Sequence, residues 1–230
     1  MRQLNFSRIT VDELTALARV DDLGVTDEPW AELARGELSG EAQRAIELVV
    51  GGLRRFPPGL VNEATVRARV VIPLLALAEV DRVAAYADVP LTARLPHVEL
   101  TGVADAALGR PFAGELRAPF LVVVEAKRGI EAHNPVPQLY AEMLAAAWMN
   151  AQGDPRDARP MHGCYTVGDC WTFVRMDARG LDTDHPSLTV CSSPEYGTRS
   201  EAATVVRTLQ SIVRAAAPPH ARSSEYAAAG

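Results

Sequence analysis

The chain has 230 residues, of which 48% are hydrophobic and 23% charged, which is typical of an ordinary globular protein. Its net charge of −6 argues against a protein that coats nucleic acid by bulk positive charge. That charge does not exclude a metal-dependent enzyme, because a bound cation neutralises the carboxylates that hold it. The start, MRQLNFSRIT, lacks the apolar core of a signal peptide, and no segment approaches the roughly 18 apolar residues of a membrane span. We therefore expect a cytoplasmic protein without membrane contact.

Residues 1–58 are predicted to form a helical extension packed on the core. In TVDELTALARV, Thr10 is followed three residues later by Glu13, a capping box that indicates the start of a helix. The segment EAQRAIELVVGGLRRF is predicted to be a second, amphipathic helix. Its apolar stripe consists of Ile46, Val49, Val50 and Leu53.

Residues 59–214 are predicted to form the core, which begins with a buried helix. LVNEATVRARVVIPLLALAEV is apolar on most of its circumference, and Pro73 should kink or step it. From about Val89 the pattern changes to short β-type runs separated by Pro and Gly, namely VPLTARLPHVEL, GVADAALG and FLVVVEAK. The polar segment RPFAGELRAP, between the second and third runs, is predicted to be a hairpin loop.

The second half of the core is predicted to be a helix, a hairpin, a further strand and a closing helix. NPVPQLYAEMLAAAWMN has Asn134 as a cap and Pro135 at the first helical position. The side chains expected to face the sheet are Leu139, Met143 and Ala146. GCYTV and CWTFVRM flank Gly168-Asp169, a two-residue hairpin signal; SLTV and EAATVVRTLQSIV follow, and residues 215–230 are predicted to be a disordered tail. This order predicts an α/β fold with a central mixed β-sheet flanked by helices.

The run LVVVEAK predicts a strand through the interior, yet it carries two charges. Side chains two apart on a strand point to the same face, so Glu125 and Lys127 should lie side by side, with Val124 and Ala126 on the other face. A buried ion pair seldom adds stability over apolar residues of similar size. One interpretation is a structural ion pair at a solvent-exposed strand end, where it costs little. The other is a functional site.

Asp105, in TGVADAAL, lies in the neighbouring predicted strand. If the chain returns as a hairpin, Asp105 and Glu125 can share one face of adjacent strands. Two carboxylates this close raise the proton affinity of at least one, and a divalent cation removes that penalty. Mg²⁺ needs only one or two carboxylates plus water and substrate phosphate. Lys127 would then stand beside a Mg²⁺ or Mn²⁺ ion, where an ammonium can orient a water or stabilise charge on a phosphate.

An Asp followed, after a hairpin, by Glu-x-Lys on a Val-rich strand resembles the PD-(D/E)XK nuclease superfamily. The upstream segment VNEATVRARVVIPLLALAEVD is similar to the helix before the core in the N-terminal nuclease domains of type I restriction motor subunits and their stand-alone bacterial relatives. The similarity covers about residues 60 to 175. Two departures are visible: Ala104 replaces the proline of the superfamily's name, and the Gln-x-x-x-Tyr pattern of some relatives is not met, since Tyr140 comes too early and Glu142 holds the fourth place.

The resemblance implies a restriction-endonuclease-like fold and a metal-dependent DNA endonuclease in a restriction or defence setting. It makes Asp105 and Glu125 metal ligands, Glu63 a helix carboxylate near the metal, Lys127 the catalytic lysine and Gln138 a glutamine beside the site. The implied partners are DNA, restriction-type partner subunits and a second copy of the chain. Alternatives are a silent nucleic-acid-binding or scaffold protein with this fold, and an unrelated α/β domain whose ion pair is structural. Glu63 can equally be a first-turn acid that favours the helix dipole, and Gln138 a solvated helix residue.

Other residue types carry weaker signals. Trp171 and Phe173 alternate on a strand, which favours core packing over base stacking. The three cysteines have no metal-site or disulfide spacing and are predicted to be buried thiols: Cys164, Cys170 and Cys191. The histidines lack ligand spacing and are predicted to be surface or loop residues: His97, His133, His162, His185 and His220. Three arginines are open to either phosphate contact or plain solvation: Arg67, Arg69 and Arg128.

Overall fold

The computed structural model describes residues 2–55, 60–80, 82–127, 129, 134–154 and 159–216. Over these residues the chain is a mixed α/β fold, in which a large central sheet with parallel and antiparallel pairs has helices on both faces. The strands are β1 Arg2–Asn5, β2 Arg19–Val25, β3 Ala84–Arg94, β4 Val98–Phe112, β5 Glu115–Lys127, β6 Met161–Val167, β7 Cys170–Arg179, β8 Ser187–Ser192 and β9 Tyr196–Gly197. The helices are α1 Val11–Leu17, α2 Trp30–Leu33, α3 Gly40–Leu53, α4 Glu63–Val66, α5 Ile72–Ala76, α6 Pro135–Gly153 and α7 Thr198–Ala216. No helix in this part of the chain is long and apolar enough to cross a membrane.

The sheet runs in the order β1-β4-β5-β6-β7-β8-β2, with β3 paired to β4 and β9 to β7. β5 and β6 are parallel and are joined through α6, because a parallel pair needs a crossover connection. α1 and α6 cover one face of the sheet, and α3, α5 and α7 cover the other. The core is therefore two apolar layers with β5 at their centre, buried on both faces.

The N-terminal segment is only partly helical, so the prediction of a helical extension over 1–58 was wrong for two stretches. The capping box of Thr10 and Glu13 starts α1 as predicted, and α3 matches the second helix. β1 and β2, however, join the central sheet in parallel with β4 and β8. Both strands are mostly exposed, so neither carries the alternating apolar pattern that marks a half-buried strand. The predicted boundary at residue 58 falls among residues outside the described part and stays a prediction.

The β-region is built from longer strands than predicted. The run 89–100 contains two strands, since β3 ends at Arg94 and β4 begins at Val98. The segment 110–119, predicted to be a loop, is mostly strand, and the turn itself is Ala113-Gly114, where both residues have positive φ (51° and 85°). These strand ends are mostly exposed and contain Pro, Gly and charged residues, so their composition resembled a loop.

The predicted buried helix with a step is confirmed. α4 leads into a π-helical turn over Arg67–Val71, in which the Ile72 N–H donates to the carbonyl of Arg67, and α5 follows. Pro73, at the start of α5, has no N–H to donate, so the wider turn before it accommodates the break in the α-helical ladder. The step places Arg67 on the turn that passes over the sheet near β4.

The remaining local predictions are confirmed in the described residues. The Asn134 side chain accepts a hydrogen bond from the Val136 N–H (3.0 Å) at the start of α6, and Gly168-Asp169 joins β6 to β7. The predicted inward-facing side chains of α6, Leu139, Met143 and Ala146, are fully buried. Trp171 and Phe173 are also fully buried, which makes them core residues and leaves no ring face for base stacking. α7 extends to Ala216, past the predicted start of the tail, and residues 217–230 lie outside the described part.

Candidate active site

The predicted residues meet where β4 and β5 separate. The pairing of the two strands runs from the hairpin to Ala106 opposite Val124 and stops there. Beyond that point the Ala126 N–H donates to the Oδ2 of Asp105 (2.8 Å), so a carboxylate replaces the next ladder carbonyl. The same edge of β4 pairs with β1 at 98–101, so Asp105 lies in the gap between two partner strands. Strand separation thus opens the sheet beside the carboxyl end of β5.

Asp105 has a cationic partner. Its Oδ1 accepts a hydrogen bond from the Nη1 of Arg67 at 2.5 Å, and the same nitrogen lies 3.0 Å from Oδ1 of Asp88. The Asp105 and Arg67 side chains are about one quarter and one fifth exposed (24% and 21%), so the pair sits at the border of the interior. Arg67, one of the three arginines considered for phosphate contact, thus lies at the predicted site, and Arg128 lies outside the described residues.

Glu125 and Lys127 form an ion pair on the α6 side of the sheet. The Lys127 ammonium donates to Oε1 of Glu125, and the Gln138 Nε2 donates to Oε2 of Glu125 at 2.8 Å. Gln138 also accepts from Lys127, at 3.4 Å. The side chains of Glu125 and Lys127 are only 2% and 15% exposed, so the interpretation of a pair at a solvated strand end was wrong. Gln138 is held by the pair, so it is not a solvated helix residue.

Glu142 belongs to the same cluster and was not predicted as a site residue. It is fully buried on α6, one turn after Gln138, whose Nε2 donates to its Oε1 at 3.0 Å. Its Oε2 is buried without a hydrogen-bond partner among the described residues. A signal for it was present in the sequence, because Glu142 is the one charged residue in the buried stretch 139–146 and follows Gln138 at helical spacing.

The electrostatics of the cluster favour bound protons. Burial first, and then the negative charge of Asp105, raise the pKa of Glu125 to about 7, against the opposing effect of Lys127. Burial and the charge of Glu125 raise the pKa of Glu142 well above its usual value. Burial lowers the pKa of Lys127, but its hydrogen bond to Glu125 and the charge of Glu125 outweigh this and raise it. Lys127 therefore stays charged, while Glu142 holds a proton more tightly than an ordinary solvated carboxyl group does.

Glu63 lies at the edge of this group. It is an exposed residue in the first turn of α4, after the Asn62 cap, and its charge contributes to the raised pKa of Lys127. That contribution indicates proximity to Lys127. The position also satisfies the alternative of an acid that interacts with the helix dipole.

The donor set suits a sparse site for a hard cation. Over the described ranges, no three His, Cys, Asp or Glu side chains are arranged to hold a metal, so Glu63, Asp105 and Glu125 do not form a ready three-ligand cage. Asp105 and Glu125 are nevertheless close enough for one to raise the pKa of the other. Two carboxylates with additional water meet the needs of Mg²⁺ or Mn²⁺. The residues present therefore fit such an ion.

The histidines and cysteines lie elsewhere. His97 is exposed and lies 3.0 Å from Asp184, His185 is exposed, and His133 and His220 fall outside the described residues. His162 differs from its prediction, because it is a half-buried strand residue whose ring contacts Trp30 edge-on, and burial lowers its pKa to about 4. Cys164 is a buried thiol as predicted, whereas Cys170 and Cys191 are half-buried; none is in a disulfide.

An apolar cavity of about 230 Å³ lies beside Phe120 and Leu121, in the first half of β5. Lys127 is at the other end of that strand, so the cavity and the charged cluster are separate features.

No model of a known protein family matches the chain. A search of curated proteins likewise finds no match.

Proposed function

We propose that the chain is a metal-dependent DNA endonuclease of PD-(D/E)XK type with a restriction-endonuclease-like fold. The observation that supports this most is the convergence of Asp105, Glu125, Lys127 and Gln138 at the point where β4 and β5 separate. Structural ion pairs also perturb pKa values, but such a pair has no need of a second carboxylate whose negative charge disfavours ionisation of the first. Here Asp105 works against Glu125, as expected where a divalent cation completes the site.

In the proposed reaction each side chain has one task. Asp105 and Glu125 hold Mg²⁺ or Mn²⁺, which when bound stabilises negative charge on the phosphate and the leaving oxygen. Lys127 orients the attacking water and places a positive charge beside the phosphate. Gln138 contacts both Glu125 and Lys127 and so fixes their relative position. Glu63, at the edge of the cluster, contributes either by contacting the metal through a water molecule or by stabilising the positive charge of Lys127.

Protonation sets the pH at which this arrangement works. Glu125 can hold a cation only as a carboxylate, and its pKa of about 7 means that a large fraction is protonated in mildly acidic solution. Cation binding lowers that pKa, because a positive charge favours the ionised form. We expect metal affinity to rise with pH through the neutral range.

A catalytically silent nucleic-acid-binding or scaffold protein is the alternative. One observation favours it: each of the two carboxylates already has a cationic partner, Arg67 for Asp105 and Lys127 for Glu125. A chain that had lost metal binding could keep its charges balanced in this way. Cytoplasmic location, restriction-type partner subunits and a homodimer stay predictions from the sequence.

The test is cleavage of supercoiled plasmid and of single-stranded DNA with Mg²⁺, Mn²⁺ or EDTA. We expect cleavage with either metal, none with EDTA, and none from Asp105→Asn. Glu99→Gln is a matched control, because Glu99 is also a strand β4 carboxylate paired with an arginine, yet it lies near the start of that strand, before the point where β4 and β5 separate. Metal-independent cleavage, or equal cleavage by wild type and Asp105→Asn, would contradict the proposal. Metal binding without cleavage would select the silent alternative.

A further inference from the structure

The ion pair of Arg67 uses the oxygen of Asp105 that a cation would need. Oδ2 of Asp105 accepts the Ala126 N–H at 2.8 Å, and Oδ1 accepts Arg67 at 2.5 Å. The backbone hydrogen bond ties Oδ2 to the end of β5, so Oδ1, which Arg67 contacts, is the oxygen that is not held by the backbone. A divalent cation at Oδ1 and the guanidinium of Arg67 carry like charge and compete for it.

The position of Arg67 allows it to exchange one anionic partner for another. It lies on the π-helical turn Arg67–Val71, an irregularity that often occurs at functional sites. Its second partner, Asp88, is 64% exposed, so the guanidinium bridges from the interior toward solvent. The contact with the exposed Asp88 contributes little free energy, and the pair with Asp105 is only partly buried, so a cation at Asp105 can replace Arg67 there. Once displaced from Asp105, Arg67 can move toward solvent without crossing the core.

A phosphate is the anion best suited to receive it. The guanidinium presents a planar fork of donors that matches phosphate oxygens and always stays charged. In the proposed reaction the phosphodiester lies beside the cation at this site. One positive charge at Asp105 would thus be replaced by another, and the released arginine would neutralise the incoming phosphate.

We propose that Arg67 is a substrate-positioning residue that exchanges partners: it holds Asp105 in the free protein and binds a nucleic-acid phosphate when a divalent cation takes Asp105. This rests on the proposed function, and it adds that metal and nucleic acid bind cooperatively through one side chain. The cation competes with Arg67 for Asp105, and the phosphate competes with Asp105 for Arg67. Binding of either ligand therefore removes the competitor of the other, which makes the two bind cooperatively.

The test compares wild type, Arg67→Met and Arg94→Met as full chains. Arg94 is the control because it also pairs with a β4 carboxylate, Glu99, near the start of that strand; Arg94 itself is more exposed than Arg67 (70% against 21%). Mn²⁺ affinity without DNA is measured by calorimetry, and affinity for a short DNA duplex by fluorescence anisotropy with Ca²⁺ as the metal. We expect Arg67→Met to bind Mn²⁺ about two- to fivefold more tightly and the duplex about tenfold more weakly, with Arg94→Met unchanged in both.

Arg67→Lys guards against misfolding of the methionine variant. It keeps the charge, so Mn²⁺ affinity should stay near that of wild type, but it loses the planar fork, so duplex affinity should fall. An Arg67→Met protein with unchanged Mn²⁺ affinity, or an Arg67→Lys protein with unchanged duplex affinity, would overturn the exchange. If wild type binds Mn²⁺ and cleaves DNA in that case, the proposed function stands. If wild type binds no Mn²⁺ at all, both proposals fail together.

Discussion

Replacement of Lys127 by methionine separates a catalytic from a structural role for the buried ion pair. Methionine keeps the apolar stem and roughly the volume of lysine but removes the charge beside Glu125. If Lys127 acts on the water and the phosphate, cleavage should fall by about two orders of magnitude or more, as expected when a preorganised electrostatic contact is lost. Metal binding should persist, because Asp105 and Glu125 remain.

The stability change follows from the surroundings of Glu125. Removing one partner of a buried pair costs about 3–5 kcal/mol when the remaining charge has no other partner. Gln138 still donates to Glu125 in the variant, and Glu125, whose pKa is about 7, can take up a proton instead. We therefore expect a smaller loss, about 2 kcal/mol at pH 8. The loss should shrink at pH 6, where the variant's Glu125 is neutral.

Both quantities are measured on the same preparation, cleavage rate by plasmid nicking and free energy of unfolding by urea titration at pH 6 and pH 8. Activity is expressed per folded molecule, so that loss of fold is not counted as loss of chemistry. A variant that is destabilised at pH 8 and keeps its specific activity would refute the catalytic role and leave Lys127 as a structural cation.

Three further predictions concern the other carboxylates. Mn²⁺ at a hundred times its dissociation constant should raise wild-type stability by about 2.7 kcal/mol in calorimetric unfolding, and Asp105→Ala should abolish the shift; an equal shift in both would remove the site. Glu63→Gln should reduce the cleavage rate with the fold intact if Glu63 acts at the metal, whereas a loss of a few tenths of a kcal/mol (about 0.3) with an unchanged rate would make it a dipole partner only. The raised pKa values of Glu125 and Glu142 favour the protonated folded state, so their contribution to stability is present below their ordinary pKa and is lost as pH rises through the raised values. Glu142→Gln should flatten this decline in urea unfolding between pH 5 and pH 9, and an unchanged pH profile would show that Glu142 is ionised in the folded protein.

Local signals carried most of the successful sequence predictions. A cap, a proline or a turn residue acts on its own neighbours, so Thr10 with Glu13, Asn134 and Gly168-Asp169 located their elements without knowledge of the fold. The same logic placed Glu125 beside Lys127, since the period of a strand fixes which side chains share a face. These predictions needed only a few consecutive residues.

What the sequence did not predict depends on distant partners. β1 and β2 are exposed edge segments whose strand state comes from pairing with β4 and β8, not from their own composition. The contact of Arg67 with Asp105 spans 38 residues and requires the stepped helix to lie over the gap in β4. The place of Glu142 four residues after Gln138 was visible in the sequence, but its burial and its contact with Gln138 depend on how α6 packs on the sheet.

The central claim is that metal held by Asp105 and Glu125 drives DNA cleavage, and the most direct measurement is a Mn²⁺ titration followed on one sample by calorimetry and by plasmid nicking. The account predicts that the cleavage rate rises in proportion to calorimetric occupancy, with one dissociation constant for both, and that Asp105→Asn loses both together. Cleavage that does not follow occupancy, or that Asp105→Asn retains, would contradict it.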